Sequence, residues 1–282
     1  MTNTANTDGP GTASVRGIDI SYTDRGAGYP LLLIHGHPFD RTMWDPQVQA
    51  LAGRGYRVIA PDLRGYGRSS VVPGITTLET FARDLEALLN HLDLGMVGIV
   101  GLSMGAEVAL ELYRLFPDGV DTLTLAATTP HPVTERGRRD RQRMAARLSA
   151  EGMSGYADEM LVGMVSPANV CEMPEVAAHV RAMMGAVPPE GAAAALRGRA
   201  RRPDHVPLLP RVSCPTLLVA GREDPFTPPE LAESMHVLVP DSVVEIVEGA
   251  AHLPNLERPE RFNEALRRFL ERNRTRVRSR SA

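Results

Sequence analysis

Along the chain, short apolar runs alternate with longer stretches in which apolar positions recur every three or four residues. Runs at 31–34, 57–60, 97–102, 122–126 and 216–220 have the length and continuity of strands buried on both faces. Stretches at 47–54, 78–92, 104–116, 228–239 and 259–270 have the period of helices that bury one face. Strand, helix, strand in repetition is the order of a parallel sheet joined by crossover helices. The segment 17–24, ahead of the first parallel strand, reads as an antiparallel strand, and a further strand is expected at 243–247.

One stretch breaks the alternation. From 132 to 203 there is no strand-like run, only Arg-, Ala- and Met-rich helical sequence. This predicts a helical cap inserted between two strands of a core that spans 14–131 and 204–271. The basic stretch 136–147 is expected to be a solvated helix face. Met153, Met160, Met164, Met173, Met183 and Met184 supply pliable apolar surface within the insertion. Residues 1–13 and the arginine-rich 272–282 lack apolar periodicity and are expected to be disordered tails.

With 282 residues, 43% of them hydrophobic, the chain is long enough for a sizeable core. The net charge of -3 gives no electrostatic reason to expect nucleic acid as a partner. All 31 basic residues are arginine, which removes chemistry that depends on a lysine ammonium: Schiff bases, P-loop nucleotide hydrolysis and protein kinases. Two cysteines, Cys171 and Cys214, are too few for a structural zinc site and form no redox motif, which suits a reducing compartment. No apolar run has the length of a membrane span, and the N-terminus has no signal-peptide core. The expectation is a cytoplasmic protein without cofactor or metal.

The strand at 97–102 runs straight into Gly101-Leu102-Ser103-Met104-Gly105, and an amphipathic helix follows. A serine on so sharp a strand-to-helix turn has strained backbone angles that lift its hydroxyl off the sheet edge, and only residues without bulk are tolerated on either side. The helix N-terminus behind it stabilises negative charge. Ser103 is therefore the candidate nucleophile.

From these motifs the sequence resembles the α/β-hydrolase superfamily, across nearly the whole of 14–270. His35-Gly36-His37-Pro38 resembles its oxyanion loop, and Asp62-Leu63-Arg64-Gly65-Tyr66-Gly67-Arg68-Ser69 its turn after the next strand. Gly249-Ala250-Ala251-His252-Leu253 with Glu257-Arg258-Pro259 is most similar to the 3-oxoadipate enol-lactonase and small-carboxylesterase branch. The resemblance implies an α/β-hydrolase fold, a mostly parallel twisted sheet with helices on both faces.

A serine hydroxyl needs a base, and the base needs a carboxylate to fix its tautomer. His252 lies on a loop after the strand at 243–247 that returns it to the sheet edge of Ser103. Asp224 matches the position of the family's acid, with its neighbour Glu223 as rival. The remaining histidines are assigned to the oxyanion loop, the surface or packing. The backbone N–H groups of Met104 and His37 are the expected oxyanion donors. Phe39, Trp44, Phe226 and Leu253 flank these loops, and Met160 and Met164 hang in the cap, so these six are the candidate substrate contacts. The expected activity is hydrolysis of a small carboxylic ester or lactone through an acyl-enzyme. The alternatives are a cofactor-free perhydrolase or haloperoxidase using the same residues, and a non-catalytic ligand-binding protein derived from a hydrolase.

Overall fold

The computed structural model describes residues 9–278, with side chains as far as Asn273. Its strands are β1 (Gly9–Val15), β2 (Ile18–Gly26), β3 (Tyr29–Ile34), β4 (Tyr56–Pro61), β5 (Val97–Leu102), β6 (Val120–Ala126), β7 (Thr216–Gly221) and β8 (Ser242–Val247). They form one sheet in the order β1-β2-β4-β3-β5-β6-β7-β8. The pairs β1–β2 and β2–β4 are antiparallel, and every pairing from β4–β3 to β7–β8 is parallel.

The helices outside the insertion are α1 (Asp45–Leu51), α2 (Leu78–His91) and α3 (Met104–Leu115), then, after it, α9 (Pro229–Leu238), α10 (Pro254–Glu257) and α11 (Pro259–Arg278). Strand periodicity sorts side chains to the two faces of the sheet. Leu32 and Ile34 of β3 join the cluster that holds Phe81 and Leu85 of α2 and Val108 and Leu112 of α3. Leu31 and Leu33 join the opposite cluster, with Trp44, Val48 of α1 and Phe262 and Leu266 of α11. Every residue of β5, β6 and β7 is buried, as expected for strands covered on both faces.

Between β6 and β7 the chain forms five α-helices: α4 (Glu135–Glu151), α5 (Ser154–Met164), α6 (Pro167–Glu172), α7 (Pro174–Ala186) and α8 (Pro189–Arg199). Thr134 caps α4 by accepting from Gly137 N, and Ser166 caps α6 by accepting from Asn169 N. Met153, Met183 and Met184 are buried in packing.

Both expected tails need correction. The strand β1 begins at Gly9, because 9–15 pairs in register with β2 and buries Ala13 and Val15. At the other end α11 continues to Arg278 instead of stopping near 270. Residues 1–8 and 279–282 lie outside the described residues. Among the described residues no helix is long and apolar enough to cross a membrane, and no cluster of His, Cys, Asp and Glu could hold a metal.

Candidate active site

Ser103 sits between β5 and α3 with φ 55° and ψ −116°, a left-handed conformation that costs a non-glycine residue about 1–3 kcal/mol. Its amide donates to Ala126 O at 2.8 Å. The flanking glycines make the turn possible. A Cβ on Gly101 would lie 2.4 Å from Gly105 O, and one on Gly105 would lie 2.0 Å from Ile34 O. Neither contact is with a flexible side chain, so α3 packs onto the ends of β3 and β5 only because both positions are bare.

The loop after β3 comes equally close. A Cβ on Gly36 would lie 3.3 Å from Ser103 Cβ, which places the 36–37 backbone directly against the serine. His35 is fully buried: its Nδ1 is 2.9 Å from Gly36 O and its Nε2 accepts from Leu63 N at 2.9 Å. Both ring nitrogens are thus occupied, Nδ1 within its own loop and Nε2 holding that loop to the turn after β4, and burial lowers its pKa.

His252, in the loop after β8, is 2.8 Å through Nδ1 from Asp224 Oδ2. Asp224 also accepts from Thr227 Oγ1 at 2.5 Å, Phe226 N at 2.8 Å and Thr227 N at 3.1 Å. Burial pushes its carboxyl pKa up, but the hydrogen bonds from His252 and Thr227 outweigh that and hold it below the ordinary value. An ionised acceptor opposite Nδ1 fixes the proton there and leaves Nε2 as the basic nitrogen. Glu223, the rival carboxylate, is exposed, whereas Asp224 is buried. The His252 loop is itself anchored: the buried Glu257 accepts from Ala251 N at 2.8 Å and, across the molecule, from Ser166 N and Asn169 Nδ2 at 2.8 and 2.7 Å.

Ser103 and His252 line one cavity of about 210 Å3. One wall comes from the core, with His37, Thr128, Phe226 and Thr227, and the other from the insertion, with Tyr156, Met160, Met164 and Leu196. A larger groove of about 420 Å3 opens between β7, β8 and α11, but no histidine lines it, whereas the smaller cavity brings a histidine and a serine together.

The six expected substrate contacts divide. Met160, Met164 and Phe226 line the cavity, and Phe226 packs its ring edge-on to His252 with centroids 5.2 Å apart. Phe39, Trp44 and Leu253 do not. All three are wholly buried in the core cluster on the α1/α11 side, where Trp44 packs on Phe262. Sequence adjacency to the active loops put them on the list, but their side chains point into the core.

Sequence reasoning missed the charges. Arg141, Arg199, Arg202 and Glu107 all line the cavity. Glu107, on the first turn of α3, is 2% exposed and accepts from Arg199 Nε and Nη2 at 2.9 Å each and from Arg202 Nη1. Burial pushes its pKa up, yet the two guanidiniums bring it down to about 2. A glutamate one turn after Ser103, on the helix face that packs against the fold, was the available signal, since a buried carboxylate needs a cation. The basic stretch 136–147 is correspondingly not all solvated, because Arg141 turns inward.

The family model for the alpha/beta hydrolase family matches residues 31–265. An esterase from Thermogutta terrifontis, solved with malate bound, is 40% identical, with a TM-score of 0.91 over 94% of this chain and 99% of that one. A bromoperoxidase from Bacillus anthracis is 27% identical with a TM-score of 0.83, covering 93% of this chain and 100% of its own. The 3-oxoadipate enol-lactonase 1 of Acinetobacter baylyi is 30% identical across 82% of this chain and 85% of its own length.

Proposed function

Since this chain belongs to the alpha/beta hydrolase family, we propose that it is a serine hydrolase that cleaves a small carboxylic ester or lactone through an acyl-enzyme. The observation that carries the reading is the Asp224–His252 pair set in the same cavity as a strained Ser103. His252 Nε2 takes the proton of Ser103 as Oγ attacks the substrate carbonyl. The tetrahedral oxyanion is held by the N–H of Met104, free at the first turn of α3, and by that of His37, brought close by Gly36. Collapse expels the alcohol, protonated by His252, and water then repeats the sequence on the acyl group. The helical insertion acts as the cap that closes the cavity. A volume of about 210 Å3 lies below the range of roughly 300–1,000 Å3 typical of drug-sized ligand sites, which favours compact substrates.

The test is Ser103→Ala, which should lower kcat on p-nitrophenyl acetate by about 10⁴- to 10⁶-fold with the fold retained. Phenylmethylsulfonyl fluoride should add its sulfonyl mass at Ser103. A variant keeping more than a few per cent of activity rejects the mechanism.

The likeness to a bromoperoxidase favours one second reading, in which hydrogen peroxide instead of water attacks the acyl-enzyme and yields a peracid. Activity found only with peroxide and a halide would select it. Acylation without turnover would point to the ligand-binding alternative.

A further inference from the structure

Hydrolysis of a neutral ester needs a nucleophile, a base and two oxyanion donors, and none of these is a cation. Yet three guanidiniums, Arg141, Arg199 and Arg202, line the cavity against a single carboxylate, Glu107. Glu107 is already occupied by Arg199 and Arg202. Arg141 is left over. Its Nη1 reaches Gly137 O, one turn back on its own helix, at 3.3 Å. The neighbouring Asp140 is paired with Arg143 and Arg136 instead. Glu107 and Asp140 act on Arg141 only at longer range, without a close ion pair, so its partly desolvated guanidinium keeps donors for an incoming anion. The field is visible at its neighbours. Burial and then the charge of Arg199 lower the Arg141 pKa to about 10, still a full cation at neutral pH. Burial followed by Arg199 and Arg141 depresses His37.

We propose that Arg141, backed by Arg199 and Arg202, is a carboxylate-binding subsite, so that the substrates are short esters or lactones carrying a free carboxylate away from the scissile bond. The planar fork of arginine matches a carboxylate through two parallel hydrogen bonds, and such charge-assisted bonds are about twice as strong as neutral ones. The small cavity keeps the charged end and the reacting carbonyl within one compact molecule. This rests on the reading of Ser103 and His252 as an ester-cleaving pair.

Two measurements separate the subsite from that reading. In the first, glutarate is titrated calorimetrically into Ser103→Ala protein at low salt, with and without Arg141→Gln. Saturable binding that weakens about tenfold or more without Arg141 supports the subsite. No binding, or tighter binding of inorganic phosphate than of glutarate, overturns the carboxylate assignment. In the second, the ratio of kcat/KM for p-nitrophenyl hemiglutarate to that for p-nitrophenyl butyrate is measured alongside Tm. The ratio should fall at least about tenfold in Arg141→Gln and recover in part in Arg141→Lys. Equal losses on both esters with a lowered Tm would show that Arg141 is only structural. Turnover of neutral esters without preference for the acidic one defeats the subsite and leaves the hydrolase reading standing. Arg141-dependent glutarate binding without turnover of any ester does the reverse.

Discussion

Asp224 and Glu223 are neighbours in sequence and opposites in environment. Glu223 is exposed, whereas Asp224 is 3% exposed and surrounded by donors from His252, Phe226 and Thr227. Its depressed pKa makes it an anion at all working pH values. By linkage it contributes stability that is full above the ordinary carboxylate pKa of about 3.9 and is lost as pH falls through its lower folded value. Asp224→Asn keeps the shape but offers an amide, which accommodates the wrong imidazole tautomer. We expect its kcat on p-nitrophenyl acetate to fall by about 10⁴-fold, with Glu223→Gln within about twofold of wild type. The reverse ranking in steady-state assays would reassign the acid.

Between elements, two buried glutamates hold the insertion to the core. Glu107 ties α3 to Arg199 at the end of α8 and to Arg202 just beyond it. With its pKa lowered to about 2, it stabilises the fold fully above about pH 4.5 and loses that contribution as pH falls toward 2. Glu107→Gln should therefore be less stable near pH 7 by on the order of 3 kcal/mol, and the gap from wild type should narrow between about pH 4.5 and 2.5. Denaturant melts across that range check the slope, and a gap that widens on acidification would contradict the assignment. Glu257 fastens α6 to the His252 loop through Ser166, Asn169 and Ala251. Glu257→Ala leaves three donors unsatisfied in a buried place, so a loss of about 3 kcal/mol or more is expected, together with a lower kcat. A shifted denaturant midpoint with unchanged kcat would mean that the His252 loop holds its own position.

At the scale of the molecule, the cavity lies between the edge of a rigid sheet and a separate layer of helices. Tyr156, Met160, Met164 and Leu196 close it from the insertion side, against Thr128, Phe226 and Thr227 of the core. A site enclosed in this way admits compact molecules. In a series of p-nitrophenyl esters of increasing acyl length, kcat/KM should peak at short chains and fall steeply before about ten carbons. A maximum at longer chains would require the insertion to stand open during turnover.

The alternation of strand and helix, the antiparallel strand before the parallel series, the helical insertion and the Ser103 turn were all legible in the sequence. Each rests on local chemistry: the strand period places Leu31 and Leu33 on one face and Leu32 and Ile34 on the other, and a residue larger than glycine at 101 or 105 collides with backbone. The placement of His252 beside the cavity of Ser103 was legible for a similar reason, because a loop after a parallel strand returns to the same sheet edge. Direction was not legible. Phe39, Trp44 and Leu253 sit beside active loops in sequence but face the core, since neighbouring side chains on a turn diverge and the deeper apolar site claims them. For Asp224 over Glu223 the resemblance already pointed the right way, although only the fold shows Asp224 buried beside His252 and Glu223 exposed. Arg141 is one of several arginines on α4, indistinguishable from the rest until the packing of α4 along α8 turns it toward Ser103's cavity. Periodicity and steric exclusion are properties of short segments, whereas burial, charge pairing and the walls of a cavity belong to segments that meet only in the folded chain.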